Sequence, residues 1–393
     1  MNERPVYLRP EAIPLPWPDL DPVQRHALAK LIAMLKEALD DLAGPPIPAR
    51  PEWMPWLDYS RKVRLALLTG ERGTGKTTVL LSLLRALDKG ELTGRDIPGD
   101  ITQALTALRP RLICLEPLDM APLPRPTNLL AAILARVEAR LTPAGPPGEH
   151  TWASPCQAPT DFLPPTDAYH TALAKFTRLQ TDVALAWEGN LATRAGSLDP
   201  TQYAMEVMRA EHVRLSLNER LTDVLEAVAE LLRGTIARDP LFIIPIDDFD
   251  LNPLHCLELL DLLRIISVRR LFFILLGDLQ LADLVCTIRT AGDMVKLAAR
   301  PSAITFLPPT TQAEASAHTP NIAGNAIKKL LPPSQRIELA VPDLRTALAF
   351  HPHGHVQPIL DFLRSCPLPA SPDSWKSSRI IKRGIRSLLD VFG

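Results

Sequence analysis

The sequence predicts an α/β fold built around a parallel β-sheet. Short apolar runs end at Thr69, Ile246 and Leu276, and each leads through a polar or glycine-containing turn into a helical pattern of leucines. Continuous apolar runs of this length are typical of parallel strands that are buried on both faces. Their alternation with helical patterns favours one sheet with helices packed against it.

A glycine-rich loop follows the first apolar run. Residues 70–77 read GERGTGKT, which fits the G-x-x-x-x-G-K-T spacing of the Walker A motif, and the helical pattern VLLSLL comes next. Glycine permits positive φ and a close approach of the backbone to phosphate oxygens, which loop and helix-start amides then bind. The motif therefore predicts a P-loop NTPase core that binds ATP. The residues predicted to bind the nucleotide are Gly70, Glu71, Arg72, Gly73, Thr74, Gly75, Lys76, Thr77 and Thr78.

Two aspartates follow the second apolar run, as in a Walker B motif. We expect Asp247 to hold Mg²⁺ together with the Thr77 hydroxyl, and Asp248 to polarise the attacking water. Lys76 is expected to act in catalysis by reaching the β- and γ-phosphates as a positive charge. The alternative for the aspartates is an acidic cluster that caps a loop. Pro245, inside the run, is unusual for a strand because proline has no N–H donor.

Further carboxylates end other strand-like runs. In AAA+-type ATPases the strand that corresponds to 271–276 carries the first sensor, so Asp278 is the candidate for that role; a charge that merely ends the strand is the alternative. Glu116 and Asp119 follow the run LICL and are candidates for orienting water or sensing the γ-phosphate, unless they only begin a solvated loop.

Four other groups of residues have two interpretations each. Three arginines are candidates for an arginine finger that reaches the γ-phosphate bound by a neighbouring molecule, and the alternative is a solvated or ion-paired surface position: Arg264, Arg269 and Arg270. Three aromatic residues stack on adenine or anchor a linker: Trp53, Trp56 and Tyr59. A histidine set binds metal or forms an exposed turn: His351, His353 and His355. The basic tail at 376–386 contacts nucleic acid, an acidic partner or a membrane surface, or is a solvated helix end.

Composition narrows the classes of protein. The 43 basic and 44 acidic residues balance, so no global field attracts the chain to nucleic acid or to an anionic membrane. No apolar run reaches 18 residues, which predicts that the chain does not span a membrane. The five cysteines show no C-x-x-C spacing, and no N-terminal signal pattern is present, so we expect a reduced, cytoplasmic compartment.

The 40 prolines separate the chain into predicted parts. These are an N-terminal helix and linker (1–58), the first half of the NTPase core (59–141), a proline-rich loop and helical insertion (142–238), the second half of the core (239–300) and a C-terminal lid-like helical region with the basic tail (301–393). Beyond Gly292 we expect short helices and turns. Helix starts are predicted at Asp21-Pro22, Asn128, Asp199-Pro200 and Asn252-Pro253.

The run PIDDFDLNPLHCLELLDLLRIISVRRLFFILLGDLQLADLV resembles the second half of the KAP and STAND-type P-loop NTPases. There an acidic pair closes a strand, a leucine-rich helix follows and a sensor strand ends near an aspartate. The runs LICLEPLDMAPLPRPTNLLAAILARVEARL and IKKLLPPSQRIEL are similar to two further segments of that group. The resemblance covers roughly residues 60–140 and 215–340. Two features depart from this group: the segment between the Walker motifs is expected to form helices that do not span a membrane, unlike many KAP proteins, and residues 341–393 show no long repeats of the STAND type.

The resemblance implies a nucleotide-driven switch in bacterial signalling or anti-phage defence, acting as a homo-oligomer or with a separately encoded effector protein. From the residues we expect an Mg²⁺-dependent ATPase whose Walker A and Walker B strands flank a third strand. Two alternatives stay open. One is a DNA-associated AAA+ ATPase, such as a transposition regulator or loader. The other is a slow-turnover nucleotide-binding scaffold, because Asp248 is one methylene shorter than the glutamate common at that position.

Overall fold

The computed structural model describes residues 12–43, 64–89, 92, 97–125, 127–141, 167–187, 199–231, 239–298 and 309–340. The strands are β1 (Leu65–Thr69), β2 (Leu112–Cys114), β3 (Leu118–Asp119), β4 (Leu241–Asp247), β5 (Leu271–Gly277) and β6 (Arg336–Glu338). The helices are α1 (Pro22–Ala43), α2 (Lys76–Lys89), α3 (Gly99–Leu108), α4 (Leu129–Leu141), α5 (Asp167–Trp187), α6 (Pro200–Leu231), α7 (Pro253–Ile265), α8 (Leu279–Ala298) and α9 (Pro309–Leu330). Short 3-10 turns cover Trp17–Asp19, Arg109–Arg111 and Pro333–Gln335.

The described strands form one sheet in which every pairing is parallel. The strand order is β2-β4-β5-β1-β6, and β3 pairs with β4 beyond the end of β2. The strand that precedes the glycine loop and the strand that precedes the paired aspartates are therefore separated by one strand, β5. The predicted α/β fold with a parallel sheet is confirmed.

Helices cover both faces of the sheet because alternate strand residues point to opposite sides. Leu65 and Leu67 of β1 face a core that includes α4 to α9. Ala66 and Leu68 face a second core, which α1, α2 and α3 complete. This arrangement buries the strands on both sides, which explains why their sequences are continuous apolar runs.

The proline in β4 lies opposite an interruption in its neighbour. The Phe242 amide donates to Arg270 O on the β5 side, while Ile243 O accepts from the Leu115 amide on the β2 side. Backbone groups of successive strand residues point to alternate sides, so an N–H at position 245 would point to the β2 side, as the backbone groups of Ile243 do. There β2 has ended at Cys114 and β3 has not yet begun, so no strand pairing is lost at that position.

Helix α1 begins at the predicted start, and its first turn contains a capping box. The Asp21 carboxylate accepts from the Gln24 amide N–H at 2.8 Å, and Gln24 Oε1 accepts from the Asp21 amide N–H at 3.2 Å. An apolar stripe of α1 packs into the core on its side of the sheet, and its members Leu28, Leu31, Leu35 and Leu39 are buried.

The predicted helical insertion is a hairpin of α5 and α6 that packs against α4 and the sheet. Its buried residues Phe176, Leu217 and Val224 belong to the same core as the strands. The predicted starts of α4 and α6 are confirmed, since Asn128 Oδ1 accepts from the Ala131 amide N–H at 3.0 Å and Asp199 Oδ1 accepts from the Thr201 amide N–H at 2.8 Å.

One expectation for the later part of the chain differs from the structure. The prediction of short helices and turns beyond Gly292 is wrong for residues 309–330, because α9 spans 22 residues there. Residues 336–338 of the predicted lid-like region, which read as a short extended piece after a helix, form β6, which pairs in parallel with β1. Among the described residues, no helix combines the length and apolar character that crossing a bilayer requires.

Candidate functional site

The predicted site residues meet at the carboxyl edge of the sheet. The register pairs Thr69 with Gly277 and Ile246 with Leu275, so β1, β4 and β5 end side by side. The glycine loop therefore leaves β1 next to the aspartates that follow β4. In open parallel sheets this edge is where ligands bind.

Three glycines of the loop have a positive φ. The values are 156° at Gly70, 85° at Gly73 and 83° at Gly75, and residues other than glycine adopt such angles only at a cost. A Cβ at Gly70 would also collide with the backbone oxygen of Leu339, and a Cβ at Gly75 would collide with the side-chain amide of Gln24. The loop is thus enclosed by the segment after β6 on one side and by the start of α1 on the other.

The side chains of Thr77 and Asp247 are joined directly. Thr77 lies in the first turn of α2, and its Oγ1 donates to Asp247 Oδ2 at 2.9 Å across 170 residues of sequence. The predicted metal-binding hydroxyl and the predicted metal-binding carboxylate are therefore within reach of a single ion.

Lys76 is held by its own loop. Its Nζ donates to Gly70 O at 2.8 Å and to Glu71 O at 2.9 Å. Burial lowers the pKa of Lys76, and the nearby carboxylates oppose this, Asp250 most strongly and Asp248 next. The ammonium thus faces a set of carboxylates while its hydrogen bonds go to carbonyl oxygens, an arrangement that an incoming phosphate could replace.

The remaining loop residues lie around this lysine. Glu71 and Arg72 are exposed, and Thr78 is half-buried. Thr74 is also half-buried, and its hydroxyl donates to Glu71 O at 2.9 Å, which tightens the turn.

The paired aspartates have different environments. Burial raises the pKa of Asp247 to about 6; the hydrogen bond from Thr77 lowers it and the charge of Asp248 raises it. The Asp248 amide N–H donates to Asp247 Oδ1 at 2.9 Å, and Asp248 has a φ of 50°. This left-handed conformation, which aspartate tolerates better than most residues, turns the chain sharply after β4.

A third carboxylate, Asp250, was not among the residues predicted from the motifs. It is 9% exposed, and its Oδ1 is buried without a hydrogen-bond partner. Burial raises its pKa, whereas the backbone amides of Asp250 and Asp278 lower it. Asp250 and Phe249 fill the space left by the missing side chain of Gly277, so Asp250 lies at the end of β5. The spacing D-D-x-D was the available signal.

Asp278, the candidate sensor, caps a helix. Its Oδ1 accepts from the Gln280 amide N–H at 2.8 Å, and its carbonyl oxygen accepts from the Ala282 amide N–H in the first turn of α8. Asp250 therefore differs from Asp278 in having a buried oxygen without a partner beside the end of β5, while both carboxylates contribute their charge to the surroundings of Lys76.

The other charged candidates have partners within the chain. Glu116 pairs with Arg136 at 3.2 Å, and Asp119 Oδ1 accepts from the Ala121 amide N–H at 3.0 Å. Asp119 lies beside Asp247 in the register of β3 and β4. The three candidate finger arginines also have partners. Arg264 pairs with Asp261, Arg269 donates to the Asp41 carbonyl oxygen, and Arg270 pairs with Asp239.

Three groups of candidates lie outside the described residues. They are the aromatic residues Trp53, Trp56 and Tyr59, the histidines His351, His353 and His355, and the basic tail at 376–386.

Comparison with known proteins identifies no relative. The sequence matches no protein-family model, and no curated protein matches it significantly.

The packing at the end of β5 leads to a stability prediction. Gly277→Ala would push a Cβ into the Phe249 ring and Asp250, so we expect it to lower the unfolding free energy by about 1–3 kcal/mol. Urea unfolding measures the change. Gly99→Ala is the control, because nothing lies within 4 Å of a Cβ at that position. Equal stability of the Gly277→Ala variant and the parent chain would contradict the packing at this position.

The raised pKa of Asp247 leads to a pH prediction for the metal-free chain. Because the folded state binds this proton more tightly than the unfolded chain, Asp247 costs increasing stability as pH rises from 3.8 to about 6. The Asp247→Asn variant lacks this cost, so at neutral pH it should be more stable than the parent by about 1–3 kcal/mol, with a smaller difference at acid pH. Urea unfolding of both chains at about pH 4.5 and about pH 7.5 tests this. A difference that does not change with pH would refute it.

Proposed function

We propose that the chain is an Mg²⁺-dependent P-loop NTPase that binds and hydrolyses ATP. The hydrogen bond between Thr77 and Asp247 carries the proposal. It joins the hydroxyl that follows the loop lysine to a carboxylate at the end of another strand. These are the protein groups that a P-loop NTPase uses to hold Mg²⁺ beside the phosphates.

The donor set suits Mg²⁺ with a nucleotide. Within the described ranges, no group of three or more His, Cys, Asp or Glu side chains is arranged to hold a metal ion by itself. Mg²⁺ keeps several waters and is usually bound by one or two carboxylates plus substrate phosphates. Thr77 and Asp247 would hold it, and it would neutralise negative charge on the phosphates.

The residues around the loop have separable roles in this proposal. Lys76 gives up its hydrogen bonds to the carbonyl oxygens of Gly70 and Glu71, donates to phosphate oxygens in their place, and stabilises the negative charge of the phosphates. Asp248 accepts the proton of the attacking water. Asp250, with one free oxygen at the end of β5, helps to orient that water.

The experiment is a phosphate-release assay on the purified chain with ATP, with and without Mg²⁺. We expect release only when Mg²⁺ is present, and the same assay with GTP reports the base preference. Thr77→Val removes the hydroxyl and keeps the shape, so it should reduce the Mg²⁺-dependent rate strongly. If ATP neither binds nor is hydrolysed with Mg²⁺ present, the proposal fails.

A slow-turnover scaffold is the second candidate. It is favoured by the side chain of Asp248, which is one methylene shorter than the glutamate common at that position. Nucleotide that stays bound through purification, with negligible phosphate release, would support this candidate over the ATPase.

The position of Leu339 supports a switch rather than a simple hydrolase. Its backbone oxygen contacts the loop at Gly70, and its amide N–H donates to Thr69 O at 2.7 Å. An exposed apolar stripe also begins near the site on α8, with Leu281, Leu284 and Ile288 at 41%, 54% and 63% exposure. In this proposal, nucleotide binding alters both surfaces and so controls assembly with a second copy or an effector.

A further inference from the structure

A charged cavity lies in the α5–α6 hairpin, separate from the phosphate loop. Its volume is about 390 Å³, and the described residues that line it all belong to these two helices: Arg178, Thr181, Asp182, Arg209, His212, Val213 and Arg220. Ligand pockets in proteins start at a similar size. None of these residues has a role in the proposed ATPase site.

One buried carboxylate fixes the floor of this cavity. The Asp182 side chain is 7% exposed, and Arg220 Nη1 donates to its Oδ2. Arg220 is held a second time, because its Nε donates to Ser216 Oγ at 2.9 Å. The guanidinium is therefore locked in one orientation before any ligand arrives, which favours binding.

The cavity holds more positive charge than Asp182 neutralises. Arg209 approaches Asp182 Oδ1 only at 3.8 Å and is 64% exposed. Within the described part of the chain, Arg178 has neither an ion pair nor a side-chain hydrogen bond, and it too is exposed. Three arginines thus share one carboxylate, and an anion entering the cavity would meet guanidinium groups from both helices.

We propose that this cavity binds a small anion that carries phosphate groups, such as pyrophosphate or a phosphomonoester. Guanidinium groups present paired N–H donors that match phosphate oxygens, and several of them around one cavity are typical of phosphate recognition. In this proposal Arg178 and Arg209, which are exposed, adjust their positions to contact the anion, whereas Arg220 contacts it in a fixed orientation. Because the ligand would bridge α5 and α6, its binding stabilises the helical insertion.

The test is calorimetric titration with pyrophosphate, carried out on a chain that already contains Lys76→Ala so that the phosphate loop does not contribute. We expect binding, together with a rise in the thermal midpoint. Adding Arg178→Ala and Arg209→Ala should weaken binding at least about tenfold. Adding Lys175→Ala, an exposed charge on α5 that does not line the cavity, should leave it unchanged.

Three results would overturn the inference. They are no binding to the Lys76→Ala chain, undiminished binding after both arginines are replaced, and citrate binding as tightly as pyrophosphate, which would show a general preference for anions. The two arginines are exposed, so their removal should leave the fold intact, and an unchanged far-ultraviolet circular dichroism spectrum verifies that. The outcome is independent of whether the chain hydrolyses ATP.

Discussion

Replacement of Lys76 by alanine is expected to weaken binding of Mg²⁺-ATP by about 100-fold or more, and to abolish hydrolysis at ordinary nucleotide concentrations. The ammonium is the cation that the carboxylates of the site face, and it has two hydrogen bonds to exchange for phosphate oxygens. Removing it leaves Asp247, Asp248 and Asp250 facing the phosphates with only Mg²⁺ to offset their charge. Calorimetric titration measures the affinity directly.

Lys89→Ala provides the matched control for this variant. Lys89 is an exposed residue in the last turn of the same helix, α2, and should have no effect on binding. Unchanged affinity in the Lys76→Ala variant would mean that nucleotide does not bind at this loop.

Replacement of Asp248 by asparagine is expected to leave Mg²⁺-ATP affinity within about threefold of the parent and to lower turnover by about 100-fold or more. Asparagine keeps the size and tolerates the left-handed backbone at 248, but it cannot accept the proton from water. Single-turnover kinetics separates the loss of chemistry from any change in product release.

Two further variants belong to this experiment: Asp250→Asn tests whether Asp250 is the base, and Asp223→Asn is the control. Asp223 is exposed on α6, away from the site, so its variant should behave as the parent chain. Full turnover in Asp248→Asn together with a large loss in Asp250→Asn would transfer the role of the base to Asp250. Full turnover in both variants would remove the proposed mechanism of water activation.

The central strands and the contact between Thr77 and Asp247 could be predicted from the sequence. Long apolar runs identify buried parallel strands, and the carboxyl ends of such strands converge whatever the intervening chain does. This holds although the helical insertion separates the two residues in sequence. The helix starts were likewise predictable, because a cap such as Asp21 with Gln24 is a local interaction.

The parts that were missed or only partly predicted depend on distant packing. Strand β6 has three residues, two of them charged, and forms because it pairs with β1. Helix α8 contains Gly292, and α9 contains Pro320 and Gly324, residues that weaken helix propensity and that the contact between the two helices offsets. Asp250 was missed because its burial depends on a space that only the fold creates beside Gly277.

The close fit of Gly277, Phe249 and Asp250 also constrains how this protein can vary between species. A side chain at 277 would collide with both the ring at 249 and the carboxylate at 250, so it costs stability unless both of them change. The three positions should therefore change together or not at all. A lineage that gained a larger residue at 277 would be expected to have lost the third carboxylate in the same step, and with it one of the acidic groups facing Lys76.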